Sequence, residues 1–134
     1  MNVSRKIWGI KHRVFENKQT EIDLLYLEKN SACSVHKHKE KINRFFLIKG
    51  KVTIKTDLGE KVLSKNESFD VEAGLVHQFI VNEDSILLEM AFVNKSSIDN
   101  NDIERLVQGG KFINGKFHTL DNLKKLSEDY EKID

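Results

Sequence analysis

The stretch Ser34-Val35-His36-Lys37-His38-Lys39-Glu40-Lys41-Ile42-Asn43-Arg44-Phe45-Phe46-Leu47-Ile48-Lys49-Gly50 sets two histidines one residue apart, ahead of an apolar run that ends at glycine. Side chains alternate across a β-strand, so His36 and His38 point to the same face and offer two imidazoles to one place. A third histidine, His77, heads a later apolar segment, His77-Gln78-Phe79-Ile80-Val81. Two histidines from one strand and one from another form a facial donor set. Such a set suits a divalent transition metal with open positions left for a ligand.

The segments around these histidines also read as strands. Ile22–Leu27, Arg44–Ile48, Lys51–Thr56, Glu60–Leu63, Ser68–Val71, His77–Val81 and Ser85–Val93 are short apolar runs, with a hairpin turn at Asp57-Leu58-Gly59. Many short strands at this spacing argue for an all-β sandwich or barrel and against βαβ units. In the last strand Ile86, Leu88, Met90 and Phe92 share one face, while Leu87, Glu89, Ala91 and Val93 share the other. Both faces are largely apolar, which predicts cover on both sides. The barrel interior covers one; a partner subunit or the chain's own tail covers the other. Glu89 is the sole charge in this run, so its carboxylate needs a partner or a polar cavity.

Beyond Val93 the pattern changes. Lys95–Asn101 is a polar connector, and Asp102–Gln108 reads as a short helix or turn stopped by Gly109-Gly110. Phe112-Ile113-Asn114-Gly115-Lys116-Phe117 reads as a hairpin on an Asn-Gly turn. Leu120, Leu123, Leu126, Tyr130 and Ile133 recur at helical spacing and predict an amphipathic C-terminal helix, capped by Thr119 or Asp121. The expected division is a barrel domain over 1–98, N-terminal strand included, and an extension over 99–134. The helix of that extension packs on the barrel or on a partner.

Composition narrows the function classes. At 134 residues, 39% hydrophobic and 32% charged, the chain is one soluble domain with room for a real core. Lys and Arg number 22 against 21 Asp and Glu, and basic residues are not interleaved with aromatics. Nucleic acid is therefore not an expected partner. The lone Cys33 allows no internal disulfide and fits a reducing compartment. Neither a secretory leader nor an apolar run of membrane-spanning length is present, so a cytoplasmic location without membrane contact is expected. P-loop, Rossmann and Gly-x-Ser-x-Gly signatures are missing.

Residues Ser34 to Gly50 resemble the first motif of the cupin superfamily: two histidines one apart, then a glutamate, then a glycine. Glu72-Ala73-Gly74-Leu75-Val76-His77 resembles the second motif. Two positions depart from the pattern, Asn43 standing where the motif has its glutamate and Glu72 where it has proline. The resemblance implies a double-stranded β-helix, a small antiparallel barrel followed here by the C-terminal helix. It also implies a metal site of His36, His38, Asn43 and His77 for zinc, manganese, iron or nickel. Within the superfamily, Trp8-Gly9, the metal strand, Glu89 and Asp102-Ile103-Glu104-Arg105 are similar to the cupin domain of type II mannose-6-phosphate isomerases. That similarity implies a sugar or sugar-phosphate isomerase acting on a small polar ligand, a carbohydrate, with Glu89 as the base.

Lys41 and Arg44 flank Asn43 and would hold a phosphate or carboxylate on that ligand. The alternatives are a non-catalytic ligand-binding or regulatory cupin, and a metal-dependent oxygenase. A homodimer paired through Ser85–Val93 is expected. An amide oxygen brings a dipole where the motif brings a charge, so Asn43→Glu is expected to tighten metal binding by about tenfold.

Overall fold

The computed structural model describes residues 2–133. Its strands in chain order are β1 (Val3–Lys6), β2 (Gly9–Glu16), β3 (Thr20–Leu27), β4 (Ser31–Ala32), β5 (Val35–Lys37), β6 (Ile42–Lys49) and β7 (Val52–Thr56). There follow β8 (Gly59–Leu63), β9 (Ser68–Val71), β10 (His77–Val81), β11 (Ser85–Phe92), β12 (Glu104–Val107), β13 (Gly110–Ile113) and β14 (Lys116–Thr119). The chain ends in α1 (Leu120–Leu126) and a 3-10 turn over Glu128–Tyr130.

All pairings between these strands are antiparallel, and they form two sheets. The first runs β1-β2-β3-β11-β6-β9. The second runs β12-β5-β10-β4-β13-β14, with β7 pairing β10 and β8 pairing β7. The apolar face of each sheet turns inward, which is the cheapest way to hide alternating strands from water. Leu25, Phe45, Leu47 and Leu87 of the first sheet meet Val52, Ile54, Phe79 and Val81 of the second in one core. The expected all-β barrel is what forms, and no described helix is long and apolar enough to cross a membrane.

Three local readings are corrected. Asp102–Gln108 is not helical: Glu104–Val107 is a strand that adds to the edge of β5, with Arg105 opposite His36. The double glycine after it is a close-approach point. A Cβ on Gly110 would stand 1.9 Å from the His118 carbonyl oxygen, so no side chain fits between β13 and β14 there. The C-terminal helix stops at Leu126, because Ser127 turns extended at φ −155° and caps the following 3-10 turn with its own hydroxyl. The break lets Ile133 return to the core, while Leu126 is left in solvent.

The tail also does not cover the outer face of β11. It adds β13 and β14 to the second sheet, and α1 packs on those strands. Ile86, Leu88, Met90 and Phe92 remain half-buried on the outside of the first sheet, and none of the described elements forms a second layer over them. Other expectations hold. Thr119 caps α1, accepting the Asn122 N–H. Asn114 and Gly115, at φ 52° and 79°, make the β13–β14 turn, which needs positive φ at both positions.

Candidate metal centre and cavity

His36 lies in β5 and His77 at the start of β10, directly paired across the second sheet. His38 follows β5, in a turn that leads to β6. The ring centroids lie 4.4, 5.0 and 5.3 Å apart, His36 meeting His77 and His38 edge to face and the last two tilted against each other. One ring nitrogen from each lies within 4.8 Å of those of the other two.

The other nitrogen of each ring is spoken for by the backbone. His36 Nδ1 is 2.9 Å from the Ser34 carbonyl oxygen, His38 Nδ1 is 2.7 Å from that of Asp102, and His77 Nδ1 is 3.0 Å from that of Leu75. A carbonyl only accepts, which assigns the proton of each neutral ring to Nδ1 and leaves the Nε2 lone pairs for the cluster. Backbone carbonyls orient metal-bound histidines in this way. Burial disfavours the imidazolium and lowers all three pKa values: His36 to about 3, with His77 and His38 adding repulsion, and His38 to about 4. His77 is lowered by burial as well. Three uncharged imidazoles with converging lone pairs are the form that binds a divalent transition metal.

Asn43 is buried and points inward from β6. Its Nδ2 donates to Glu89 Oε2 at 2.9 Å. Its Oδ1, with His77 Nε2, makes up the pair of buried side-chain polar atoms without a hydrogen-bond partner among the described residues. Buried polar atoms normally find partners. A divalent ion held by the histidines would give His77 Nε2 its partner, and the amide oxygen is a donor of the right kind for such an ion, so the residues present fit one.

Beside the histidines opens a cavity of about 520 Å3, lined among others by His36, His38, Asn43, Glu89, Lys41 and Trp8. Glu89 therefore faces inward, and its pKa is raised, first by burial and then by the charge of Asp23 opposite it on β3. Lys41 reaches the same cavity. Arg44 does not: its neighbour Asn43 points in, so Arg44 points out, where it forms two 2.7 Å bonds with Asp70. Glu40 also stays outside and meets Lys95. Cys33 lies in the cavity wall, its thiol pKa pushed up by burial.

Two groups do structural work that the sequence reading does not assign. Asp102 takes the N–H groups of Lys39, Glu40 and Lys41 on its carboxylate at 2.6, 2.9 and 3.0 Å, while its carbonyl holds His38. Burial works against its charge, but those N–H groups win and lower its pKa. Asp23 is buried in the cavity wall and bound by Arg13 Nε at 2.5 Å, and Arg13 also bonds Glu21 and Glu16. The signal for Asp23 was its parity: it shares a strand face with Leu25 and Leu27, the core face.

A family profile described as "Mannose-6-phosphate isomerase C-terminal" matches residues 2–108. No curated protein matches the chain in sequence. Among solved structures, KdgF from Halomonas sp. is similar at 13% identity and TM-score 0.60, over 64% of this chain and 81% of that one. A cupin-2 domain protein from Shewanella frigidimarina aligns at 16% identity and TM-score 0.54, over 60% and 76%. Oxalate decarboxylase from Bacillus subtilis aligns at 16% identity and TM-score 0.65, over 78% of this chain but 29% of its own length. At such identities the likeness is one of fold, and that fold is the cupin barrel. The profile match spans most of the chain and takes in all three histidines and Glu89: the chain belongs to the mannose-6-phosphate isomerase C-terminal family.

Proposed function

We propose that the protein is a metal-dependent sugar or sugar-phosphate isomerase, with His36, His38, His77 and Asn43 holding one divalent ion at the cavity wall. The observation that carries this reading is the cluster of three Nε2 lone pairs, each ring fixed from behind by a backbone carbonyl, beside the unpartnered Asn43 Oδ1. Manganese suits this donor set: a Bacillus subtilis oxalate decarboxylase of the same fold has Mn(II) centres.

When bound, a divalent ion supplies Lewis-acid polarisation of a carbonyl or hydroxyl oxygen. The chain's own part is proton transfer and ligand binding. Glu89 spends one oxygen on Asn43 and keeps the other for the cavity. Its raised pKa moves it toward the range in which a carboxylate works as a base at neutral pH. It takes a proton from the hydroxyl-bearing carbon beside the substrate carbonyl and returns it to the carbonyl carbon, while the hydroxyl proton passes from that oxygen to the former carbonyl oxygen, which leaves the composition unchanged. Lys41 sits at the cavity to hold an anionic group on the ligand. Arg44, on the outer face and paired with Asp70, takes no part in this reading.

The second reading is a binding or regulatory cupin without catalysis, favoured by the neutral Asn43 in place of a carboxylate ligand. One experiment tests both. Protein as isolated, and protein reloaded with zinc, manganese, iron or nickel, is assayed for metal content and for interconversion of aldose and ketose phosphates. His77→Ala serves as control. Stoichiometric metal lost in His77→Ala supports the centre, and turnover supports the isomerase. Metal without turnover favours the binding reading. Equal metal content in both proteins overturns the centre.

A further inference from the structure

Asn43 and Glu89 are diagonal neighbours on the inward face of paired strands, since Asn43 stands opposite Ala91 and Phe45 opposite Glu89. A carboxylate accepts hydrogen bonds and does not donate them, and an amide nitrogen donates without accepting. The 2.9 Å bond from Asn43 Nδ2 to Glu89 Oε2 therefore forms with the amide in one orientation only. Turning the amide over would set its oxygen against the carboxylate. Asp23, the other inward carboxylate near Glu89, is engaged by Arg13 and does not compete for Asn43. In the orientation observed, Oδ1 is buried and unpartnered, a condition that costs about 1–3 kcal/mol unless something binds there.

We propose that Glu89 is a positioning residue for the metal centre: it fixes the Asn43 amide with its oxygen toward the three histidines. The carboxylate that the cupin pattern places among the ligands is thereby kept one hydrogen bond further out. This rests on the reading that Asn43 and the histidines hold a divalent ion. It adds to the proton-carrying role of Glu89, because the two roles use different oxygens of the one carboxylate. It also explains how a neutral amide serves at the ligand position. Left free, an amide offers its NH2 to the cluster as readily as its oxygen, and an NH2 group repels a cation.

The test is a double-mutant cycle read as metal affinity. Zinc and manganese are titrated calorimetrically into wild type, Asn43→Ala, Glu89→Met and the double variant at neutral pH; methionine is chosen because a glutamine oxygen would still accept from Asn43 Nδ2. Each single substitution is expected to weaken binding by about tenfold, the scale of outer-shell changes at metal sites. The double variant is expected to bind like Asn43→Ala, since Glu89 acts through Asn43. A Glu89→Met loss that is just as large in the Asn43→Ala background would show that Glu89 acts by charge alone, and would overturn the proposal. No loss in Glu89→Met overturns it as well. Methionine is close to glutamate in length, and the fold of the variant is checked by circular dichroism alongside. Failure of the metal reading has a separate signature: wild type and His77→Ala then bind alike or not at all, and both inferences fall.

Discussion

Asn43→Glu is the substitution that the histidine motif invites, and in the fold its effect depends on Glu89 beside it. The sequence led to an expected tightening of about tenfold, because a carboxylate adds charge to the ligand set. In the folded protein the side chain at 43 lies 2.9 Å from Glu89 Oε2, so the variant brings two carboxylates together in a partly buried place. At an effective dielectric of about 20, two unit charges at that distance repel by about 6 kcal/mol, or roughly 4 pK units. The pair resolves this by sharing one proton at neutral pH, as close carboxylates do. Its net charge is then the same as that of Glu89 in the wild type, and a metal ion must expel the shared proton in order to bind.

At pH 7, therefore, Asn43→Glu is expected to bind zinc within about threefold of wild type and to release about one proton on binding, with affinity rising as pH rises. The histidines do not blur this count, since burial keeps His36 and His38 neutral down to about pH 4. Asn43→Glu combined with Glu89→Gln removes the repulsion and gives the new carboxylate an amide donor. That protein is expected to bind about tenfold tighter than wild type with no such proton release. Calorimetry in two buffers of different ionisation enthalpy measures both quantities. A tenfold gain in Asn43→Glu alone at pH 7, without proton release, would refute the reasoning, for it would mean that residues 43 and 89 do not meet.

Three further outcomes are expected. First, the histidines make stability pH-dependent: the unfolded chain protonates them near pH 6.5, while His36 and His38 stay neutral in the fold down to about 3 and about 4. Their contribution is complete above about pH 6.5 and is lost as pH falls toward 4, by up to about 1.4 kcal/mol per pH unit for each. Urea denaturation at pH 7, 6 and 5 checks this, a shallower slope is expected for His36→Gln with His38→Gln, and identical slopes would defeat the account. Second, Asp102→Ala frees three backbone N–H groups at a half-exposed turn and is expected to cost about 1–2 kcal/mol. The same variant should weaken metal binding through His38, so unchanged stability and unchanged affinity would argue against the Asp102 latch. Third, the half-buried Leu24, Phe46, Leu88 and Met90 on the outer face of the first sheet are expected to pair two copies of the chain. Light scattering at micromolar concentration should give a dimer mass and Leu88→Glu a monomer mass; a monomeric wild type excludes this interface.

Local pattern was enough for most of the barrel. Ser68–Val71 and His77–Val81 form as strands with the very bounds read from sequence, because each alternates and is followed within two residues by a turn or bend. Glu104–Val107 misled because Ile103, Leu106 and Val107 fit a helical repeat as well as an extended one. What decides is the open edge of β5, some seventy residues earlier in the chain, and no local reading contains it. The histidine cluster was legible for the opposite reason. Two histidines one residue apart at the end of a strand carry their own geometry, and only His77 had to arrive from elsewhere.

The same parity settles more than it was asked to. Once Asn43 points inward, Arg44 must point outward, and the register of β6 against β9 sets it opposite Asp70, with which it pairs. Lys41, two residues before Asn43, keeps the inward direction and reaches the cavity. Applied to the first sheet, parity sends Asp23 and Glu89 into the interior opposite one another, where bare carboxylates are costly. Each survives there by engaging a donor, Arg13 for the first and the Asn43 amide for the second. A glutamate at position 43 would have deprived Glu89 of its donor. Asn43, standing where the cupin pattern has a glutamate, and the inward Glu89 thus form one arrangement, in which the amide supplies the buried carboxylate with its donor.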